Sequence, residues 1–439
     1  MLSYESEIKV SLLQNYKEAR LNLKGRFLLA AERVISGHII VRGRNGEVAL
    51  YDPSGIEIAS GDTVRLSAQD NAAFTVSDVK IGIDFHWQRS QEQSFHGNLF
   101  LSSALDSSFN LINEIALEDY LKSVISSEMS AEAPLEFLKA QAVTARSWLV
   151  AMLAKKKTAR SLPLSKTENE IVVWQDVNDH EGFDVCADDH CQRYQGITRI
   201  ISDNVQAAIE ATRGLFLVSG KDICDARYYK SCGGQTEIFS TAWEDKTPSY
   251  LKSVTDDAKQ NPPIESEVEA KRWLSGRPQA FCNTTDKELL SKILPAFDQE
   301  TLDFYRWQVI YSRQELEDII RKKSGIDFGE LQDIVALGRG PSGRIYKLMI
   351  EGFRRTIIVG KELEIRRWLS KSHLLSSAFI VSKTRSADGS VESFTLTGGG
   401  WGHGVGMCQI GAAVMAANGF KTEQILAHYF SGANLQKLY

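Results

Sequence analysis

Short runs rich in β-branched residues fill the first 110 positions of the chain. IKVSLL, HIIVRG, VALYD, DTVRLSA and AFTVSD are separated by glycine, asparagine, aspartate and serine, a pattern typical of strands joined by turns. From Pro134 to Ala154, apolar side chains recur every three or four residues, which predicts a helix with Pro134 at its first position. One chain therefore has to hold both kinds of structure, and we expect an α+β fold.

The change of character along the chain predicts four parts. They are a β-rich N-terminal domain over 1–110, a core with a His/Cys loop over 111–257, an inserted mainly helical lobe over 258–340, and a C-terminal part of the same core over 341–439 that completes a cleft. Gly338, Gly340 and Gly343 match G-x-G-x-x-G, but a strand-like run, RIYKLMIEG, follows them instead of a helix. We therefore predict a β-hairpin turn there and not a dinucleotide site.

Charge and hydropathy exclude several classes of protein. The 439 residues include 51 Lys+Arg and 56 Asp+Glu, a net charge of −5, which disfavours general nucleic-acid binding. No apolar stretch approaches the roughly 18 residues needed to span a bilayer. The N-terminus, MLSYESEIKV, lacks the basic and apolar regions of a signal peptide. The protein is therefore either cytoplasmic or a mature segment with an added Met.

Three segments carry side chains suited to carbohydrate chemistry. Glu128 precedes the predicted helix, on which Lys139 and Arg146 share one face, so the glutamate could act as a general acid beside substrate-binding cations. The alternative for that segment is a solvated charged helix. In SCGGQTE, Ser231 and Gln235 flank two glycines that either admit a sugar or form a tight turn. In GGGWGHGVGMCQIG, a ring, an imidazole and an amide suggest a carbohydrate subsite at Trp401, His403 and Gln409, against simple loop packing.

The same three segments resemble the motifs of a known family. NEIALEDYLKSVISSEMSAEAPLEFLKAQAVTARSWLVAML is similar to the signature of the bacterial SpoIID/LytB cell-wall family. YYKSCGGQTE resembles the family's middle motif, and GGGWGHGVGMCQIGAAVMAANGFKTEQILAHYF its closing one. The resemblance covers most of residues 7–257 and 340–439.

The resemblance implies an activity. SpoIID-type proteins are lytic transglycosylases that cut peptidoglycan glycan strands, preferring strands without stem peptides. The glutamate of their SEM triplet is the catalytic acid and falls on Glu128, while the helix Lys and Arg fall on Lys139 and Arg146. Ser130 and Ala133 stand where many members have Pro and Trp, which puts glycan stacking in doubt but leaves the acid unchanged.

A cluster of histidine and cysteine suggests a metal. NDHEGFDVCADDHCQRY holds two thiols and two imidazoles within twelve residues, which suits tetrahedral Zn²⁺. Some SpoIID members carry zinc on one His and two Cys, which implies His180, Cys186 and Cys191 as ligands, with His190 as the alternate. The alternative is a disulfide, Cys191 to Cys232 or Cys186 to Cys224. Cys282 and Cys408 are predicted to be buried free thiols.

The resemblance also allows a second function, in which the protein binds glycan but does not cut it. LytB-like members are amidase enhancers, which implies a non-catalytic glycan-binding protein that assists an N-acetylmuramoyl-L-alanine amidase. The SEM glutamate occurs on both sides of the family, whereas the His/Cys cluster favours the enzyme. Because peptidoglycan lies outside the membrane, the resemblance also implies an extracytoplasmic location.

Overall fold

The computed structural model describes residues 4–30, 33–82, 89–156, 165–174, 180–188, 190–299 and 303–439. They form two compact units that are each assembled from separate stretches of chain. Unit 1 comprises Met1–Glu132, Asp179–Leu215 and Lys437–Tyr439, and unit 2 comprises Ala133–Asn178 and Phe216–Gln436. Helices and many strands occur together, which confirms the α+β class. Among the described residues, no helix combines the length and apolar character needed to cross a bilayer.

Unit 1 is built on one large sheet, as the β-rich N-terminal sequence predicts. Its strands are β1 (Glu7–Tyr16), β2 (Glu18–Leu29), β3 (Arg33–Arg44), β4 (Glu47–Tyr51), β5 (Glu57–Gly61), β6 (Thr63–Ala68), β7 (Ala73–Ile81), β8 (Arg89–His96), β9 (Asn98–Ala104), β10 (Ser108–Ala116) and β13 (Val185–Cys186). The sheet order is β13-β1-β10-β9-β6-β2-β3-β4-β5, with β7 pairing both β2 and β8. In the first half of β1, buried Ile8 and Val10 alternate with exposed Glu7 and Lys9, so one face of the strand makes core there; residues 11–13 are all buried.

Three helical elements complete the described part of unit 1. They are α1 (Leu117–Glu128), a 3-10 helix (Gly196–Arg199) and α3 (Asp203–Ala211). A row of stacked rings joins α1 to the sheet. The Tyr120 ring lies 5.1 Å from Tyr194, Tyr194 lies 5.7 Å from Phe95, and Phe95 lies 5.3 Å from Phe74. Because these rings are fully buried, α1 and the residue 194 loop share the core of the sheet.

Unit 2 contains the long helix that the periodicity predicts, observed as α2 (Leu135–Lys156). Its other helices are α4 (Phe239–Ala242), α5 (Glu267–Ser275), α6 (Lys287–Ile293), α7 (Arg313–Ser324), α8 (Glu362–Trp368), α9 (Gln409–Ala417), α10 (Thr422–Tyr429) and a 3-10 turn (Ala296–Asp298). Its strands are β11 (Ser165–Lys166), β12 (Glu170–Val172), β14 (Leu215–Ser219, beginning at the unit boundary), β15 (Asp222–Ile223), β16 (Tyr228–Tyr229), β17 (Arg306–Ser312), β18 (Leu331–Arg339), β19 (Ile345–Gly352), β20 (Thr356–Gly360), β21 (Phe379–Arg385), β22 (Val391–Gly399), β23 (Met407–Cys408) and β24 (Asn434–Lys437).

Two sheets tie the segment 258–340 to the residues that follow it. The sheet β11-β12-β20-β19-β18 and the sheet β17-β22-β21 both combine strands from before and after position 340. Trp307, Leu348 and Phe394 belong to one apolar cluster that spans them. The region for which the sequence predicts a separate helical lobe thus contributes β17 and β18 to shared sheets. Its helices α5, α6 and α7 flank these strands in sequence.

The glycine-rich turn at 338–343 is a hairpin, as predicted. β18 and β19 pair antiparallel, with Arg339 opposite Ile345. Gly340 and Gly343 lie in the connection, where the Gly343 N–H donates to the Gly340 carbonyl at 2.9 Å. A nucleotide fingerprint needs a helix after the glycines, and a strand occupies that place.

Candidate functional site

Glu128 is the last residue of α1, rather than part of a segment that leads into α2. Its side chain is half-buried, next to buried Ser127 and Met129. Oε1 accepts a hydrogen bond from the backbone N–H of Arg193 at 2.9 Å. The carboxylate is therefore held in place by main chain from a loop 65 residues away, and it keeps partial access to solvent.

Two further side chains of α1 bind the same loop. The Tyr120 hydroxyl donates to Gln192 Oε1 at 3.1 Å, and Ser123 Oγ accepts from the Gln195 N–H at 3.0 Å. Together with the Glu128 contact, these hydrogen bonds link α1 to residues 192–195 at Tyr120, Ser123 and Glu128. Tyr120 and Ser123 lie on the buried side of the helix, so this loop is part of the folded core of unit 1.

The predicted metal ligands converge just before this loop. One donor atom each from His180, Cys186, His190 and Cys191 lies within 4.8 Å of the others. His180 Nε2 is 3.1 Å from Cys191 Sγ, and His190 Nδ1 is 3.6 Å from Cys191 Sγ and 3.9 Å from Cys186 Sγ. A hydrogen bond from Cys191, followed by those from the two imidazoles, lowers the pKa of the Cys186 thiol. These four side chains, which we call the His/Cys cluster, could hold a metal ion.

The His/Cys cluster is anchored to the sheet of unit 1. β13, which contains Cys186, pairs parallel to β1 with Ser11 opposite Cys186. Phe183 and Ile112 pack against Cys186 as a small apolar group. All six cysteines lie among the described residues and all are unbridged, so neither Cys191–Cys232 nor Cys186–Cys224 is a disulfide here.

In unit 2 the other two motifs pair with each other. We call Ser231–Glu237 the first glycine motif and residues 398–411 the second. Ser231 and Trp401 exchange two backbone hydrogen bonds of 3.0 and 2.7 Å, and the Glu237 N–H donates to the Gly404 carbonyl at 2.6 Å. β16 and β23 run parallel beside them. Two segments that are 170 residues apart in sequence thereby form one backbone framework.

A buried arginine fastens the two glycine motifs together. Arg344 is fully buried, and its guanidinium donates to the carbonyls of Gly402 at 3.1 Å and Cys232 at 3.3 Å. A Cβ on Gly404 would lie 2.5 Å from Arg344 Cζ, and Gly404 has a φ of +84°. Glycine is required there both by the backbone conformation and by the closeness of the guanidinium.

His403 lies between aromatic rings. The Tyr229 and Trp243 ring centroids are 5.2 and 4.8 Å from that of His403. Nδ1 accepts from the Val405 N–H at 3.1 Å, so a neutral ring carries its proton on Nε2. Burial, followed by the charges of Arg227 and Arg344, keeps the pKa of His403 well below its ordinary value. A neutral imidazole is suited to orienting a partner rather than to donating a proton near neutral pH.

The other predicted substrate-binding residues have different surroundings. Trp401 is half-buried and stacks on Phe304, with ring centroids 5.4 Å apart and planes 10° apart. Ser231, Gln235 and Gln409 are buried. Ser231 Oγ, Gln235 Oε1 and Gln409 Nε2 have no hydrogen-bond partner among the described residues. Buried polar atoms of this kind are usually satisfied by ordered water or a ligand.

Lys139 and Arg146 lie in unit 2, and their surroundings differ although they share a helix. The Lys139 ammonium donates to Glu136 Oε1 at 2.9 Å and is partly exposed. Arg146 is fully buried. Glu128 and the His/Cys cluster belong to unit 1, so the structure assigns the predicted residues to two sets.

Sequence reasoning missed residues whose role is to hold others. Arg193 presents a backbone N–H to Glu128, and no side-chain pattern reveals a backbone donor. Tyr120 belongs to the α1 segment, where only Glu128 stands out chemically. Arg344 and Arg227 look like ordinary cations in sequence; Arg227 lies 4.2 Å from the Trp243 ring centroid. Each has a partner nearby in sequence, Asp225 for Arg227 and Ser342 for Arg344, but the carbonyls and rings that they also contact are brought near only by the fold.

These features define an α+β protein with a held carboxylate beside a His/Cys cluster and with two paired glycine motifs. Residues 105–218 match the model of the stage II sporulation protein family, SpoIID, and residues 237–406 match a domain of unknown function, DUF8618. The chain therefore carries a SpoIID-family domain over residues 105–218, and beyond it is similar to proteins named stage II sporulation protein D and amidase enhancer.

Individual relatives are distant. Stage II sporulation protein D of Bacillus amyloliquefaciens is 25% identical over 328 residues, which is 74% of this chain and 76% of that protein. An uncharacterized protein of Brachyspira hyodysenteriae is 26% identical over 393 residues, 88% of this chain and 85% of the other. An amidase enhancer of Bacillus subtilis is 25% identical over 335 residues, 72% of this chain and 40% of that protein.

Proposed function

We propose that the protein is a lytic transglycosylase that cuts the MurNAc–GlcNAc bonds of peptidoglycan glycan strands, with Glu128 as its acid and base. The observation that carries this proposal is the half-buried Glu128 carboxylate, which the Arg193 N–H fixes at 2.9 Å. A general acid must keep one position relative to the bond it protonates, and must remain reachable. The hydrogen bond from Arg193 meets the first need, and the half-buried position of the Glu128 side chain meets the second.

One carboxylate suffices for this reaction. A hydrolysing glycosidase uses two carboxyl groups, because water has to be activated separately from the leaving oxygen. In the proposed reaction, protonated Glu128 gives its proton to the glycosidic oxygen, and the resulting carboxylate accepts the proton of the MurNAc C6 hydroxyl. That hydroxyl oxygen bonds to the anomeric carbon as the glycosidic bond breaks, which leaves a 1,6-anhydroMurNAc end. Proton and electron pairs balance without a co-reactant.

We propose Zn²⁺ as the ion of the His/Cys cluster, on His180, Cys186 and Cys191, with His190 as the alternate ligand. The donor set fits, because two thiols and two imidazoles within 4.8 Å are the ligands that tetrahedral zinc takes. The ion when bound would act as a structural clamp on residues 180–191. Arg193 follows two positions later, so the clamp would fix the N–H that positions Glu128.

The remaining site residues are proposed as substrate contacts. Trp401 offers a half-buried ring to a sugar face, and His403 offers a neutral imidazole. Ser231, Gln235 and Gln409 hold polar atoms without a partner among the residues described, which suits bound sugar hydroxyls or water. Lys139 and Arg146 are proposed to contact the substrate or to orient the catalytic glutamate.

The relatives' names support a role related to the cell wall. We propose that this role is exercised outside the cytoplasm, on glycan strands. The second candidate function is a non-catalytic enhancer of a cell-wall amidase. It is favoured by one observation, the similarity over 335 residues to a protein named amidase enhancer. In that case Glu128 would bind glycan without cutting it.

Digestion of purified glycan strands, with and without stem peptides, separates the two candidates. The protein, Glu128→Gln and the control Glu132→Gln are compared by mass spectrometry; Glu132 is exposed and receives the same substitution. We expect 1,6-anhydroMurNAc ends from the protein and from Glu132→Gln, mainly on denuded strands, and at least a roughly 100-fold loss in Glu128→Gln. Reducing ends would indicate hydrolysis. No cleavage by any form, together with stimulation of an added amidase, would establish the enhancer.

A further inference from the structure

A second group of metal-ligand side chains lies buried in unit 2. One donor atom each from Cys232, Asp256, Cys282 and Cys408 lies within 4.8 Å of the others. Each residue is at most 2% exposed. This group, which we call the Cys3Asp cluster, is separate from the His/Cys cluster and shares no residue with it.

The spacing of the sulfur atoms suits one ion better than a disulfide. Cys232 Sγ and Cys282 Sγ are 3.4 Å apart, whereas a disulfide bond is about 2.05 Å long. Thiolates that bind one tetrahedral zinc at about 2.3 Å lie about 3.8 Å from each other. A disulfide between Cys232 and Cys282 would also leave the Cys408 thiol and the Asp256 carboxyl group buried beside it.

Backbone donors surround the sulfur atoms. The Gly234 N–H donates to Cys232 Sγ at 3.3 Å, and the Cys408 sulfur accepts from the N–H groups of Cys232 at 3.3 Å and Gly411 at 3.4 Å. Cys408 is also the N-cap of α9, where the helix dipole favours negative charge. Such donors are the usual outer shell of metal thiolates.

Hydrogen-bond donors also orient the carboxylate of Asp256. Asp256 Oδ1 accepts from the Tyr429 hydroxyl at 2.5 Å, and Oδ2 accepts from the Cys282 N–H at 2.9 Å. Each oxygen keeps a second lone pair. A Cβ at Gly411 would lie 2.4 Å from Oδ1, so glycine is the residue that leaves room for the carboxylate.

We propose that the Cys3Asp cluster binds a thiophilic tetrahedral divalent ion of the zinc class, with Cys232, Cys282, Cys408 and Asp256 as its four ligands. Three sulfur donors exclude Mg²⁺ and Ca²⁺ as the preferred ions, because both take oxygen ligands. Four protein ligands and complete burial leave no open position for substrate, which defines a structural site.

The ion would join parts of unit 2 that are far apart in the chain. Cys232 lies in the first glycine motif and Cys408 in the second, while Asp256 and Cys282 lie in the stretch between them. The bound ion would therefore set the separation of the two glycine motifs, as the Arg344 hydrogen bonds do from another direction. Binding to the folded chain alone would stabilise unit 2.

Metal counting on the full chain tests the proposal independently of activity. Zinc per chain is measured by native mass spectrometry and elemental analysis for the wild type, Cys186→Ser/Cys191→Ser, and Cys282→Ser. The control is Cys224→Ser, because Cys224 is a buried cysteine that belongs to neither cluster. We expect one zinc to remain in Cys186→Ser/Cys191→Ser, and one fewer zinc in Cys282→Ser than in Cys224→Ser.

A second measurement covers the case in which Cys282→Ser does not fold. Cys186→Ser/Cys191→Ser is stripped with a chelator and reconstituted with Co²⁺. We expect one equivalent to bind with thiolate-to-cobalt charge-transfer and tetrahedral ligand-field bands, and the chelator to lower its thermal unfolding midpoint. The absence of any ion in this variant would overturn the proposal. The proposal would also be overturned by a native mass that is lower by two hydrogens together with two thiols that no longer react, because that result indicates a Cys232–Cys282 disulfide. Neither result bears on cleavage by Glu128.

Discussion

Replacing Glu136 by glutamine should destabilise unit 2 in a pH-dependent way. Glu136 lies in the first turn of α2, and its carboxylate joins two helices. Oε1 accepts from the Lys139 ammonium at 2.9 Å, and Oε2 accepts from both the backbone N–H and the hydroxyl of Thr422 at 2.9 Å. Thr422 is the first residue of α10, so Glu136 supplies an acceptor to the start of another helix.

The magnitude follows from the pKa of Glu136. The hydrogen bond from Lys139, followed by those from Thr422, lowers that pKa from 4.5 to about 2. At full weight this difference is worth about 3 kcal/mol at neutral pH. The side chain is 24% exposed, so solvent screening reduces the expected value to about 1.5–2 kcal/mol. Because the pKa in the folded state is lower, this stability is present above about pH 5 and is lost as the pH falls toward 2.

Urea unfolding of the wild type and Glu136→Gln, followed by tryptophan fluorescence, measures the effect. Seven of the eight tryptophans lie in unit 2, so the signal reports on that unit. The difference in unfolding free energy should fall to less than half of its neutral value by pH 3. Glu288→Gln is the control, because Glu288 also pairs with a lysine but is 80% exposed, and it should cost less than about 0.5 kcal/mol. A Glu136→Gln effect that matches this control, or one that does not change with pH, would refute the reasoning.

Three further results are expected in unit 2. Gly406→Ala should lower the free energy of unfolding in urea by about 3 kcal/mol or more, and Gly389→Ala by only about 1 kcal/mol. Both glycines have φ near +85°, but only a Cβ at Gly406 would meet a carbonyl oxygen, that of Arg227, at 2.1 Å. Equal costs for the two variants would contradict the steric argument. Arg344→Lys should lower the free energy of unfolding by about 3 kcal/mol, because a lysine cannot make all of the buried hydrogen bonds that the guanidinium donates. A loss below about 1 kcal/mol would contradict this expectation. By NMR, the ring resonance that disappears in His403→Asn should not titrate between pH 5 and 8; a midpoint near 6.5 would contradict the assigned surroundings.

Local patterns in the sequence predict local structure well here. The N-terminal strands, α2 and the hairpin at Gly340–Gly343 each follow from residues that are neighbours along the chain. The His/Cys cluster could also be predicted, because its four members lie within twelve positions, and such a short loop can bring its own side chains together. The fold then added Arg193 and Tyr120, whose importance depends on where the loop returns to α1.

The Cys3Asp cluster shows what sequence patterns leave out. Cys232, Asp256, Cys282 and Cys408 are separated by 24, 26 and 126 residues, so no spacing motif connects them. Cys282 and Cys408 are predicted only as buried thiols; they are buried and unbridged, but they share their surroundings with a third thiol and a carboxylate. Long-range pairing of the two glycine motifs creates that neighbourhood.

Helices α2 and α1 show where apolar periodicity stops being informative. Periodicity predicts a helix over residues 134–154, yet it also suggests one charged face shared by Lys139 and Arg146. Residues 140–149 are all buried, so α2 is surrounded along this stretch, and periodicity no longer tells an inner from an outer face. In α1, the serines before Glu128 interrupt the apolar spacing, which hides the helix that ends at the proposed catalytic acid.

The four chain crossings between the units constrain the order in which unit 1 can gain its contacts during translation. The Tyr439 hydroxyl donates to Glu118 Oε1, and the Leu438 N–H donates to the Gly214 carbonyl, so residues 437–439 bind parts of unit 1 that are made much earlier. The chain between Glu132 and Lys437 is all of unit 2 except for the Asp179–Leu215 stretch, which belongs to unit 1. Unit 1 can therefore gain these contacts only after the whole of unit 2 has been synthesised, although α1 and the residue 192–195 loop are present long before.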